Sequence, residues 1–96
     1  MKKLFISQPM KDKSNEEIEY QRQLAITKAR ELLGEEIEVL DTFFKDFDGN
    51  AVGFLGKSIL ALSGADVAYF APGWASARGC KIEHQVCESY DIKIIE

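Results

Sequence analysis

Four short apolar runs separated by three helical patterns constrain this 96-residue chain more than any other feature. Lys3-Leu4-Phe5-Ile6-Ser7 reads as a strand, ended by the extended, turn-prone Gln8-Pro9 pair. Ser14 and Glu17 stand at capping-box spacing and open a helix with Ile18, Ala25, Ala29 and Leu32 on one face, which Gly34 stops. Glu36 to Leu40 is the second strand. Leu55, Ile59 and Leu62 recur at helical spacing between Phe54 and Ser63, and Gly64 ends that turn. Ala65 to Ala71 is the third strand, a helix runs from about Gly79 to Tyr90, and Ile92 to Ile95 is the fourth strand.

Strands that alternate with helices of this length build parallel sheets with right-handed crossovers, covered on both faces. The near-continuous apolar run Val67-Ala68-Tyr69-Phe70 fits a strand buried on both sides. The expected fold is a small three-layer α/β domain of flavodoxin-like or Rossmann-like type, with a four-stranded parallel sheet in the order 2-1-3-4. A ligand crevice then lies at the carboxyl ends of strands one and three, where the chain switches direction. Ser7-Gln8-Pro9-Met10 and Pro72-Gly73-Trp74 meet there. Residues 1–96 make one domain without repeat or linker, small enough that a deep pocket would borrow walls from a second subunit, so a homo-oligomer is expected.

A net charge of −4 and no basic cluster longer than Met1-Lys2-Lys3 leave no source for a grip on polymeric nucleic acid. No apolar run approaches the roughly 18 residues of a membrane span, and the first residues lack a signal h-region, so a cytoplasmic location is expected. Cys80 and Cys87 are seven apart on one helix, roughly 10 Å by helical rise, too far for a disulfide, and read as reduced core thiols. With one histidine and no Cys-x-x-Cys there is no zinc pattern. Asp46-Phe47-Asp48-Gly49-Asn50 lacks the ligand order of a calcium loop and reads as a turn. Neither metal nor cofactor is called for.

Glu83 is the residue that asks for chemistry. On the last helix, at about 100° per residue, Lys81, Gln85 and Glu88 share one arc and Ile82, Val86 and Tyr90 the opposite one, and Glu83 falls with the apolar set. A carboxylate turned toward a core is hydrogen-bonded, paired or used. Two readings follow: it closes the helix start by accepting backbone bonds, or it performs chemistry.

Ile6-Ser7-Gln8-Pro9-Met10, Ala65-Asp66-Val67-Ala68-Tyr69-Phe70, and Gly73-Trp74 followed by Arg78-Gly79-Cys80-Lys81-Ile82-Glu83-His84 together resemble the nucleoside 2-deoxyribosyltransferase-like superfamily, above all its short bacterial and phage members. The resemblance covers nearly the whole chain, with the tryptophan-to-glutamate block its most specific part. It implies a flavodoxin-like, often oligomeric domain that binds a nucleoside or nucleotide and cleaves or transfers at the N-glycosidic bond, with Glu83 as nucleophile. A carboxylate suits an oxocarbenium-like transition state at the anomeric carbon, and the helix start together with Arg78, if inward, would help keep it ionised. The implied substrate contacts are Ser7, Gln8, Pro9, Met10, Asp41, Gly73, Trp74, Ser76, Arg78 and Gly79. Two positions depart from the family pattern. Ser58 stands where active members carry an aspartate, and Ala77 where related nucleotide hydrolases hold phosphate with serine; Ser76, one position early, either substitutes or caps the helix.

Other candidates have plainer readings beside functional ones. Trp74 either stacks on a base or sugar or forms a hydrophobic lid or subunit contact. His84 reads as a solvated residue on the outer side of its helix. Asp66, at the amino end of the sheet, reads as satisfying turn backbone, while Asp41, at the carboxyl end of strand two, is placed to bond ribose or base. Phe43, Phe44 and Phe47 read as an oligomer contact or a pocket wall. The chain is thus expected to be an N-glycosidic enzyme or, with Ser58 in place of the acid, a non-catalytic nucleotide-binding module; a purely structural partner protein is the third option.

Overall fold

A computed structural model describes residues 1–42 and 49–96. The readings made for Phe43, Phe44, Phe47 and the segment 46–48 lie outside the described residues. The elements are β1 (Lys2–Ser7), α1 (Asn15–Leu33), β2 (Ile37–Val39), α2 (Ala51–Leu62), β3 (Val67–Phe70), a 3-10 turn (Trp74–Ser76), α3 (Arg78–Ser89) and β4 (Lys93–Ile95). All strand pairs are parallel and the order is β2-β1-β3-β4, as the strand and helix alternation predicts.

Successive strand residues point to opposite faces, so one sheet builds two cores. Leu4 and Ile6 of β1, Val67 and Tyr69 of β3 and Ile95 of β4 pack with Ala25 and Ala29 of α1. Phe5, Ala68 and Phe70 pack on the other side with Leu62 of α2 and Cys87 of α3. At the amino end, Asp66 has the backbone role expected of it: its carboxylate accepts the Lys3 N–H at 2.7 Å, and its own N–H donates to the Lys3 carbonyl at 2.9 Å. At the carboxyl end, the Ala71 N–H donates to the Ser7 carbonyl at 2.9 Å, which holds the β1 and β3 exits side by side.

The Ser14 hydroxyl accepts the Glu17 N–H at 3.1 Å to start α1, and Gly34 ends it in the left-handed region at φ 66°. Its buried line is Ile18, Arg22, Ala25 and Ala29; Leu32 is exposed, and its neighbour Leu33 makes the core contact instead. Helix α2 begins three residues before the apolar pattern suggests, because the Asn50 side chain caps it by accepting the Gly53 N–H at 2.8 Å. On α3 the expected inner arc is rotated. Ile82 is 41% exposed and Tyr90, past the helix end, 75% exposed, whereas Cys80, Glu83 and Cys87 are buried. Two cysteines behave as small hydrophobes and carry Glu83 inward with them. Among the described residues no helix is long and apolar enough to cross a membrane.

Candidate functional site

Three elements deliver polar side chains to one buried point on the α2/α3 side of the sheet. Ser7 is the last residue of β1, one pleat beyond Phe5 and on the same face. Ser58 sits on the inner side of α2 and Cys80 and Glu83 on the inner side of α3, all of them buried. The Ser7 Oγ–H donates to Glu83 Oε1 at 2.6 Å, and the Ser58 hydroxyl lies near enough to the same carboxyl group to draw its pKa down. The Ser7 hydroxyl, its proton committed to Glu83, also lies near enough to the Cys80 thiol to bear on its pKa.

Glu83 is 7% exposed, and among the described residues its partners are hydroxyls rather than a cation. Burial raises its pKa above the ordinary 4.5, and the Ser7 and Ser58 hydroxyls pull it down only in part. The same burial raises the Cys80 thiol, with Glu83 adding to the effect, so Cys80 is a poor thiolate. The expected electrostatic helpers of Glu83 are replaced. Arg78 is exposed, and Glu83 is the sixth residue of α3, beyond the first turn where a helix end is felt. Hydroxyls, not the helix start and an arginine, support this carboxylate.

The two expected loops do meet. Gly73 sits at φ 89°, a backbone state that favours glycine, and a side chain there would meet Pro9 Cγ at 3.5 Å. Pro9 and Met10 are half-buried beside it in the chain. Gln8 is buried, and its Nε2 donates to the Ile18 carbonyl at 3.1 Å while Oε1 has no partner among the described residues. It ties the exit of β1 to the first turn of α1. Gly79 lies half-buried close to Leu55. Asp41, Ser76 and Arg78 are exposed and are not brought to the Glu83 carboxyl group. Ser76 lies in the 3-10 turn and does not cap α3; its N-cap is Ala77, without a side-chain bond.

His84 is not on a solvated surface. Its side chain is 15% exposed, stacked face to face on Trp74 with ring centroids 4.0 Å apart. An open cavity of about 210 Å³ adjoins this stack, walled by Lys28, Tyr69, Phe70, Trp74 and Glu96 together with 72–75 backbone and side chains. Its walls do not include Glu83.

Sequence reading missed Ser58 as a neighbour of Glu83, and Arg22. Ser58 was legible: it stands three residues after Leu55 and four before Leu62, on a core face where a hydroxyl needs a partner. Arg22 follows Ile18 by four and precedes Ala25 by three, again on the buried line. It spans Thr42 Oγ1 at 3.0 Å and the Leu40 carbonyl at 3.3 Å, while Thr42 donates to the Ile6 carbonyl at 3.2 Å, so the exits of β1 and β2 are pinned together. Comparison with protein-family models, with curated proteins and with solved structures finds no match to this chain.

Proposed function

We propose that this chain acts on the N-glycosidic bond of a nucleoside or nucleotide, as a deoxyribosyltransferase or a hydrolase, with Glu83 as the nucleophile. The observation that carries the reading is the buried Glu83 carboxyl group, aimed at the exit of β1 and held by the Ser7 hydroxyl. Among the described residues no cation pairs with this carboxylate, and the Ser7 hydroxyl orients one of its oxygens. In the reaction a Glu83 oxygen bonds to the anomeric carbon as the carbon–nitrogen bond breaks, and the bonding pair leaves with the base. Water or a second base then displaces the carboxylate, and two inversions give net retention. The first-strand loop Ser7-Gln8-Pro9-Met10 and the Gly73-Trp74 turn, which touch through Pro9 and Gly73, are the assigned substrate floor and wall.

A second reading is favoured by Ser58. Where a glycosidic enzyme needs a second acid, this chain has the buried hydroxyl of Ser58 near Glu83, and a site so furnished suits binding of a nucleotide-like ligand without turnover. One experiment separates the two. Deoxynucleosides and their monophosphates are incubated with the protein, with and without acceptor base, and released or exchanged base is followed alongside thermal shift. Base release that disappears in Glu83→Gln supports the enzyme; a thermal shift without release supports the binding module, since a ligand selective for the native state stabilises it. Turnover undiminished in Glu83→Gln would sink the nucleophile assignment.

The same proposal includes a homo-oligomer in a reducing cytoplasm. Val52 and Leu60 of α2 are 78% and 75% exposed two turns apart, an apolar face open to a second copy, and Cys80 and Cys87 are free thiols. Light scattering in solution tests the assembly, with a monomer at micromolar concentration counting against it.

A further inference from the structure

His84 lies where three aromatic rings and two carboxylates converge. Its imidazole is stacked on the Trp74 indole, planes 4° from parallel, and Phe70 presents its edge to both, at 4.8 Å from His84 and 5.6 Å from Trp74. The two ring nitrogens face different acids: Nδ1 is 3.0 Å from Glu88 Oε1 and Nε2 is 2.9 Å from Glu96 Oε2. An ionised carboxylate only accepts, and a neutral imidazole has one N–H and one lone pair. The neutral ring therefore bonds one acid and turns a lone pair toward the other. The doubly protonated ring bonds both and sets a positive charge against the indole face.

We propose that His84 is a proton-dependent positioning residue that fixes the Trp74 indole against α3. Trp74 and Glu96 are both walls of the 210 Å³ cavity, and His84 touches both. Protonated, it locks one end of that cavity and, as the residue after Glu83, the outer flank of the helix turn that carries the buried carboxyl group. Loss of one proton releases one of the two acids and leaves the indole with a neutral neighbour. Among the described residues, the charged groups around the ring are Glu88 from its own helix and Glu96, the residue after β4; the 3-10 turn and β3 contribute Trp74 and Phe70, and Lys28 of α1 lines the same cavity as Glu96. This inference stands independently of the reaction assigned to Glu83.

Composition makes the test direct, because the chain has one tryptophan and one histidine. Trp74 fluorescence is titrated between about pH 5 and 9, the range in which histidine ordinarily changes charge, and the His84 ring is followed by NMR in the same samples. The expected result is one transition with the same midpoint in both signals, with Trp74 emission lower on the acid side, where a charged ring lies on the indole. The transition is expected to vanish from the fluorescence of His84→Gln. A wild-type fluorescence signal flat across this range, midpoints that differ between the rings, or an unchanged transition in His84→Gln would overturn the proposal. Should His84→Gln fail to fold, the coincidence of midpoints in the wild-type protein decides alone.

Discussion

The Ser7 hydroxyl donates to Glu83 Oε1 at 2.6 Å across 76 positions of sequence, joining the end of β1 to the inner face of α3. That bond is the support the buried carboxyl group finds here, with the Ser58 hydroxyl nearby, and desolvation outweighs the help of both. The site therefore holds a carboxyl group whose ionisation the fold opposes, the stored cost expected where a group is kept for use.

Replacing Glu83 by glutamine is expected to stabilise the protein in a pH-dependent way. A carboxyl pKa raised on folding means that the native state prefers the proton. This contribution is intact below the unfolded value, near the ordinary 4.5, and is lost as pH rises through the higher folded value. Glu83→Gln removes that loss. Its melting temperature should match wild type at low pH and exceed it at neutral pH and above, by about 4–8 °C for each kcal/mol recovered in a domain of this size. Thermal denaturation followed across pH checks this, and a glutamine variant less stable than wild type at pH 8 would contradict it.

Ser7→Ala should move the acid limb of the pH–rate profile upward. Removing a donor to the ionised carboxylate leaves desolvation less opposed, so the pKa of Glu83 climbs further. A hydrogen bond to the charged form favours that form, so its loss displaces the limb toward higher pH. With substrate found by the base-release assay, kcat/KM against pH should show that displacement in Ser7→Ala and a displacement of the same sign in Ser58→Ala. An acid limb that stays in place in both variants would mean that Glu83 is not the group whose ionisation controls the rate.

The sheet order was legible because parallel βαβ units have a fixed hand and four apolar runs leave few ways to wind them. Glu83 was legible too, as a charge on a buried arc, although the arc itself was set by Cys80 and Cys87 rather than Ile82 and Tyr90. The supports of Glu83 were not. Ser7 bonds it from β1 and Ser58 comes near it from α2, neighbours far apart in sequence that no local period encodes. His84 escaped for the same reason: its environment is built by Trp74 and Glu96 from outside its own helix.

Arg22 is expected to be a stability residue for the β1 and β2 exits. It is buried, and its guanidinium bonds Thr42 and the Leu40 carbonyl from one planar fork. Arg22→Ala leaves a void and an unpaired carbonyl and should cost about 2–3 kcal/mol. Arg22→Lys, with a single ammonium, cannot span both acceptors in the same geometry and should fall between. Urea unfolding at constant m-value measures both, and an alanine variant within about 0.5 kcal/mol of wild type, the usual range for plain surface changes, would show that the fork carries no weight.

Both cysteines should be inert in the native protein and become a liability in alkali. Cys80 and Cys87 are buried, and burial raises both thiols, Cys87 to about 11 from an ordinary 9.0. Thiolate is the reactive form, so a disulfide reagent at pH 8 should modify them at the rate of unfolding and at full speed in urea. The linkage has a definite sign. A thiol pKa raised on folding contributes stability below the unfolded value that is lost as pH rises toward the folded one, here between about 9 and about 11 for Cys87. Cys87→Ala should flatten the stability curve in that window relative to wild type, whatever its offset at pH 7. Equal alkaline slopes in the two proteins, or native-state modification as fast as in urea, would show that the thiol is not sequestered as its burial on α3 requires.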